Sequence, residues 1–411
     1  MLNYIFEFMT FSFPKAGAQL GVPLTFAMFL FLFALCQCRE QVIPGFLQVK
    51  GLALSYSLFV SAVLLSLLFN LSHLSTFQIT MVLVVIASPL ALGIGRSLDT
   101  QLALKILALS MVLVGVYALI EKIAGIVTTA IPGVTYTFGQ DLAEKPIGYG
   151  MASSGEALKM PATYQNGNGA GLFYALAIPI LLSWTPSSSR FKLLKIVSIF
   201  FGCIGLLLSG SRSIMIPFIL FLIFLLALVK YKLNYRNQVL FCSCLLFLSA
   251  LGIIYLLQAD NQFLQQLYTR YIHQTLSDPT GSGRTSQFEL AFAQANTLDG
   301  LSFLRFLLIG LPWDQIGTIE GLVSTLFNYG IFGFIGFLLL LITTIYAIFE
   351  RNKLAAIGFI CVFIAFIVDG SFNFPPTLMN FFFLAGLLTQ SEAQGRIEQG
   401  KSEPIERHPI H

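Results

Sequence analysis

Charge is scarce in this 411-residue chain: Asp, Glu, Lys and Arg together make up 10% of it. A water-soluble globular domain carries about 25% charged residues, so that class is excluded before any segment is inspected. Disulfide and metal frameworks are excluded next. The six cysteines (Cys36, Cys38, Cys203, Cys242, Cys244, Cys361) all fall within or at the ends of apolar runs, so no external pairing is implied. The doublets Cys36/Cys38 and Cys242/Cys244 point to different faces of a helix with no histidine nearby, which reads as small apolar packing. Of the four histidines, His408 and His411 lie in a polar tail and His73 in a loop, so adjacent ligands build no metal cluster. The chain lacks a Gly-x-x-x-x-Gly-Lys loop and hence a soluble ATPase or kinase domain, and no cofactor is expected. It has no basic domain or basic-aromatic groove, so the net charge of +4 does not imply a nucleic-acid partner. The first stretch has neither the charged n-region nor the small-residue cleavage site of a signal peptide and is expected to be retained.

What is present is apolar. Hydrophobic residues make up 56% of the chain, 40 of them Phe, and the mean hydropathy is +0.82. Runs at 52–69, 75–94, 213–229 and 239–257 are nearly charge-free, at the roughly 20 residues that cross about 30 Å of hydrocarbon. The full pattern predicts an all-α polytopic membrane protein with about 11–12 transmembrane helices. These lie near 1–14, 21–38, 52–70, 75–94, 103–121, 167–184, 193–210, 213–230, 238–257, 320–348, 354–369 and 374–390. The first is short, ended by Pro14, Lys15 and Gly17, and fits a half-span or interfacial helix.

The basic residues set an expected orientation. Arg39, Lys50, Arg96, Lys105, Arg190, Lys192, Lys195, Lys230, Lys232, Arg236, Arg351 and Lys353 fall into short loops on one side, which the positive-inside rule makes cytoplasmic. Both termini are then cytoplasmic, and two long polar segments, about 122–166 and 258–318, are external. Residues 1–390 form one transmembrane catalytic domain. Residues 391–411 are a polar tail expected to be disordered.

Within the first external segment, Pro132, Pro146 and Pro161 break any long helix. Its Gly148-Tyr149-Gly150 and Gly167-Asn168-Gly169 turns predict an ordered loop or short helices. The second segment opens with an amphipathic pattern over Leu256–Arg270. Its turn Ser277–Arg284 then places Arg284 at the start of a helix, beside unpaired backbone N–H groups suited to an anion. The run Leu301–Leu311 is apolar but too short to cross.

Three external arginines stand out. Arg212 follows Ser209-Gly210-Ser211 at a helix junction where cytoplasmic bias would not put a cation. It reads either as a snorkelling anchor or as a phosphate ligand among small, donor-rich neighbours. With Arg270 and Arg284 it supplies enough charge for a pyrophosphate. Arg305 suits either an added contact or snorkelling. The candidate bases are Glu289, Asp314, Glu320 and Asp369. Glu320, at the entry to a span, is placed to accept a proton from a hydroxyl or to hold an arginine. His273 is a candidate for direct chemistry or local structure. Asn168, at a helix entry, suits a cap, and the amides of Asn166 and Asn168 both suit sugar hydroxyls. Tyr136, Tyr149, Tyr164 and Trp313 suit sugar stacking or an interfacial belt.

The order of four short motifs resembles the bacterial O-antigen ligases and the O-antigen and exopolysaccharide polymerases. These motifs are Gln165-Asn166-Gly167-Asn168-Gly169, Leu208-Ser209-Gly210-Ser211-Arg212, Ser282-Gly283-Arg284-Thr285-Ser286-Gln287-Phe288 and Phe327-Asn328-Tyr329-Gly330-Ile331-Phe332-Gly333, spread over about residues 15–390. The resemblance implies a metal-independent, nucleotide-sugar-independent glycosyltransferase of the bacterial inner membrane, active on its external face. It assigns Arg212 and Arg284 to the diphosphate of a polyprenyl-diphosphate-linked glycan, and implies a flippase and chain-length regulators as partners besides membrane lipid. The family's usual tryptophan after the second arginine is Phe288 here. Where its ligases carry an essential histidine, this chain has Ile319 with Glu320 beside it, which favours a polymerase. Two other readings stay open: a ligase that passes glycan to a lipid A core or protein hydroxyl, and a transporter or flippase for a lipid or small anion. Transport predicts ionisable groups in mid-span and internal repeats, neither of which the sequence displays.

Overall fold

The computed structural model describes residues 1–20, 22–49, 51–140, 159–164, 166–215, 217–219, 261–278, 284–311 and 319–390. The chain is a polytopic, mostly helical membrane protein. In hydrocarbon every backbone polar group must be satisfied within the protein, and a long apolar run does this by forming a helix.

The elements in chain order are α1 (Leu2–Ser12), a hairpin of β1 (Gly17–Leu20) and β2 (Val22–Thr25), α2 (Phe26–Gln37), α3 (Arg39–Leu47), α4 (Leu52–Asn70), α5 (Thr76–Ala87), α6 (Ala91–Arg96), α7 (Thr100–Ala124), α8 (Ile126–Thr129), α9 (Gly167–Ser183), α10 (Ser189–Leu208), α11 (Gln262–Tyr268), α12 (Gln274–Ser277), α13 (Arg284–Asn296), α14 (Gly300–Ile309), α15 (Val323–Arg351), α16 (Lys353–Phe366) and α17 (Pro375–Leu388). Polar side chains start many of them: Asp99 accepts from Leu102 N–H, Asn166 from Gly169 N–H and Asn352 from Ala355 N–H.

Among the described residues, five helices are long and apolar enough to cross a membrane: Leu52–His73, Thr76–Arg96, Thr100–Ala124, Ser189–Leu208 and Val323–Arg351. A sixth arises if α2 and α3, bent by 84° at Cys38, count as one broken span. The expected spans at 167–184, 354–369 and 374–390 are present as shorter helices, α9, α16 and α17. They are enclosed by other helices, so protein rather than lipid surrounds them and they need not match the bilayer. The expected spans at 213–230 and 238–257 lie almost wholly outside the described residues.

One expectation changes. The 21–38 run does not begin as a helix: β1 and β2 pair antiparallel, with Gly17 opposite Thr25 and Ala18 opposite Leu24. Pro23 lacks the N–H an α-helix needs, and β1 finds its outer partners in a loop, where Gln19 N–H donates to the Phe138 carbonyl at 2.8 Å. The run at 1–14 is the 11-residue helix α1, with Glu7 and Thr10 turned inward.

Packing runs α4 along α15, α7 along α10 and α16 along α9. Glycines admit the close approaches: a Cβ at Gly336 would meet the Phe59 nitrogen at 2.6 Å, and one at Gly358 the Ala175 carbonyl oxygen at 2.7 Å. Large apolar side chains such as Leu54, Leu68, Ile123 and Leu193 point outward, as they do when lipid is the solvent.

Helix α15 is kinked at Gly330, whose φ of +69° is non-helical. The kink frees carbonyls that outside groups satisfy: Leu311 N–H donates to Phe327 O at 2.7 Å and Ser66 Oγ to Asn328 O at 2.7 Å. The Phe327–Gly330 motif is thus the hinge against which α14 docks.

The bundle has two chemically distinct ends. At one, Arg96 donates to the carbonyls of Gly45 and Thr389, Arg351 to Gln390, and Lys195 to Leu182 and Trp184. Asn352 and Ser183 meet there too. Among the described residues, this end collects short loops that the sequence marks as basic. The hairpin, the 125–140 loop and residues 159–164 and 261–278 lie at the opposite end.

Candidate functional site

The end of α10 frames the polar cluster. Its last carbonyls have no intrahelical donors, so other segments supply them. Tyr271 Oη donates to Leu207 O at 2.6 Å, Met160 N–H to Leu208 O at 2.8 Å and Arg270 Nε to Gly210 O at 2.9 Å. A cation is favoured here because the helix dipole is negative at its C-terminus. Burial pushes the Tyr271 phenol above its ordinary pKa, with the Arg270 charge acting against it. Arg270 and Tyr271 occupy a π-helical turn, Thr269–His273, a rare conformation that is frequent at functional sites.

Arg212 stands just beyond this junction. One guanidinium nitrogen donates to the Gln274 carbonyl, and the other reaches Asp278 Oδ2 at 3.4 Å. Arg270 Nη1 donates to the Gln274 side-chain oxygen at 2.8 Å. Gln274 therefore holds both guanidinium groups, one through its backbone and one through its side chain. The sequence places Arg212 and Arg270 58 positions apart, and the fold makes them neighbours.

The first turn of α9 lies between this pair and a second polar group. On one side, a Cβ at Gly167 would lie 2.0 Å from the Ser209 carbonyl oxygen and 2.7 Å from Lys159 Cγ, and one at Gly171 would lie 3.1 Å from Ser211 Cβ. Only glycine permits that contact at 167. On the other side, Asn168 Nδ2 donates to Asp369 Oδ2 at 2.6 Å and Asn166 Nδ2 to Ser371 Oγ at 3.4 Å. Asp369 is buried, and its Oδ1 accepts from Ser371 N–H at 2.9 Å, so both carboxylate oxygens are engaged. Glu320 packs on the same turn: its Cγ lies 3.3 Å from where a Gly370 Cβ would stand. It is half-buried, with more access to solvent than Asp369.

The cap falls on Asn166 and not on Asn168, the asparagine whose helix-entry position reads as a cap; Asn168, one residue inside the helix, holds a carboxylate instead. Two residues were not singled out in the sequence. Lys159 is 8% exposed beside Gly167, and Lys15 is 4% exposed with Nζ 4.6 Å from the centre of the Phe374 ring. The one signal for Lys159 is a cation opening the otherwise uncharged stretch Met160-Pro161-Ala162-Thr163-Tyr164.

Other candidates are placed elsewhere. Arg305 Nη2 donates to Asn70 Oδ1 at 3.0 Å and Phe69 O at 3.3 Å, tying α14 to the end of α4. Tyr164 is enclosed, its hydroxyl on Phe11 O at 2.9 Å and its ring stacked on Phe173, so it offers no face to a sugar. Burial pushes its phenol well above its ordinary pKa. His273 and Glu289 are exposed. Arg284 is the first residue of α13, the helix start that the sequence predicts, but its side chain lies outside the description. Asp314, Trp313 and Tyr149 also lie outside the described residues. Among the described residues, no group of three or more His, Cys, Asp or Glu side chains could hold a metal.

The arrangement offers two guanidinium groups to an anion, with carboxylates and amides on the far side of one helix turn. No known family model matches the chain, and no curated protein is significantly similar to it.

Proposed function

We propose that the protein is a membrane glycosyltransferase that joins lipid-linked oligosaccharide repeats into a polysaccharide. The donor is a glycan on polyprenyl diphosphate, and the acceptor is a sugar hydroxyl of another lipid-linked repeat. The observation that carries this reading is the convergence of Arg212 and Arg270 on Gln274, across the start of α9 from Glu320 and Asp369. In the reaction the bond between the donor sugar's anomeric carbon and the diphosphate breaks, and a bond from that carbon to the acceptor oxygen forms. The acceptor proton passes to a carboxylate, for which Glu320, half-buried, is more accessible than the buried Asp369. Guanidinium groups stabilise the charge that develops on the departing diphosphate. The diphosphate would take the place of Asp278 on Arg212, exchanging one anionic partner for another. Arg284 at the start of α13 belongs to this set by the sequence resemblance.

Polymerisation is preferred to ligation because Ile319 stands where the resembling ligases have histidine. The experiment is turnover of a defined lipid-linked repeat by purified protein. Longer glycans should form without added nucleotide sugar or metal, and strict dependence on either rejects the reading. Loss of the gene should leave single repeats on the acceptor, whereas long polymer retained on the carrier would identify a ligase. Accumulation of unaltered substrate in proteoliposomes would identify a transporter.

A further inference from the structure

Helix α1 carries a polar face that glycan transfer does not use. Asn3, Glu7 and Thr10 recur at i, i+4 and i+7, the spacing that aligns side chains on one side of a helix. That side is turned inward: Glu7 and Thr10 have 0% exposure and Asn3 has 7%. Across from it, Asn380 of α17 is 2% exposed and donates to the Thr10 carbonyl at 3.3 Å, with Thr377 one turn away at 5%.

Among the described residues, six oxygens on these side chains have no protein partner. They are both carboxyl oxygens of Glu7, Asn3 Oδ1, Thr10 Oγ1, Asn380 Oδ1 and Thr377 Oγ1. The surroundings are aromatic: the Phe6 ring is 5.7 Å from Phe31 and 5.9 Å from Phe383, and Phe11 is 5.7 Å from Phe383.

A carboxylate in such a place needs a compensating positive charge. Among the described residues, the helices packed against α1 supply no side chain for it. Helices α2 and α17 contain no Asp, Glu, Lys or Arg. On α7, Lys105 lies on the Phe191 ring, Lys122 donates to Gln266, and Glu121 accepts from the Ala162 amide. The nearby titratable Tyr164 and Cys38 are engaged with Phe11 O and Asn3.

We propose that Glu7 is the carboxyl of a buried monovalent-cation site, with Thr10 Oγ1 and Asn380 Oδ1 as further oxygen ligands. Oxygen donors without nitrogen or sulfur suit a small hard cation. One carboxylate balances one positive charge, whereas a divalent ion would leave excess charge in a medium of low dielectric. The cation is a proton or sodium, which the same oxygens hold. Ionisable groups within a membrane bundle mark such ion sites.

The test uses the full-length protein in nanodiscs and dicyclohexylcarbodiimide, an apolar reagent for protonated carboxyls, with the modified residue located by mass spectrometry. Modification at Glu7 is expected. If sodium is the ligand, sodium at ten times its dissociation constant slows modification about tenfold at fixed pH. If the ligand is a proton, sodium has no effect and the rate falls about tenfold per pH unit once the carboxyl ionises. A Glu7 that is unmodified, or modified at a rate indifferent to both sodium and pH, overturns the site. Thermal unfolding gives a second readout: the midpoint should follow the same cation in the wild type and lose that response in Glu7→Gln. An equal response in both proteins also overturns the proposal. Neither readout involves glycan transfer, so each stands apart from the activity assay.

Discussion

Arg212 reaches the Gln274 carbonyl and Asp278, and the Asp278 carboxylate carries charge that a diphosphate could replace. The geometry therefore demands a planar fork, which lysine does not provide. Arg212→Lys and Arg284→Lys are expected to impair turnover more than insertion, and alanine at either position to impair it further. A contact that strengthens in the transition state is worth roughly 2–4 kcal/mol, or about 30- to 1000-fold in rate. Lys230→Gln and Lys232→Gln are the matched controls. Normal polymer length and amount in both arginine variants, at wild-type protein level, would reduce these arginines to helix anchors. Arg270 has a different task, because its Nε caps α10 through Gly210. Arg270→Gln is expected to lower stability by about 1.5–3 kcal/mol, the range for a hydrogen bond to a charged group, besides any loss of rate. A thermal midpoint unchanged from wild type would refute the capping role.

At the scale of elements, the site depends on where two helices begin or bend. Asn166 caps α9 and so fixes the turn between the two polar groups. Asn166→Ala should cost about 1 kcal/mol, read as a lower midpoint in detergent. The bend in α15 depends on Gly330. Its φ is +69°, and a Cβ there would meet the Leu308 carbonyl carbon at 2.5 Å. Gly330→Ala combines an unfavourable backbone with a collision against α14, and is expected to cost at least about 1–3 kcal/mol. Gly300→Ala, with nothing within 4 Å of the added carbon, is the neutral comparison. If both variants melt together, the kink is not a constraint on the fold.

For the whole molecule, the separation of basic loops from the polar cluster predicts an orientation. By the positive-inside rule the end holding Arg96, Lys195 and Arg351 is expected to face the cytoplasm. A membrane-impermeant thiol reagent applied to intact spheroplasts should label His273→Cys, an exposed position near the arginine pair, and should label Arg190→Cys only after lysis. The reverse pattern would put the candidate site in the cytoplasm and remove the case for transfer from a flipped lipid-linked donor.

The helical membrane architecture was legible in composition and run length, because lipid leaves an apolar segment of about 20 residues few other ways to satisfy its backbone. Charge placement likewise marked the loops that gather at one end. The helix start at Arg284 was legible because it depends on a few adjacent residues, whereas the α9 cap fell on Asn166 two positions before Asn168, the residue that reads as the cap. The pairing of Arg212 with Arg270 through Gln274, the seat of Glu320 beside Gly370, and the burial of Lys15, Lys159 and Glu7 were decided only in the tertiary structure. So were the hairpin at 17–25 and the enclosed short helices α9, α16 and α17. Each of these depends on which distant segments pack together, and local pattern encodes periodicity and span length but carries no information about the neighbour a side chain will meet.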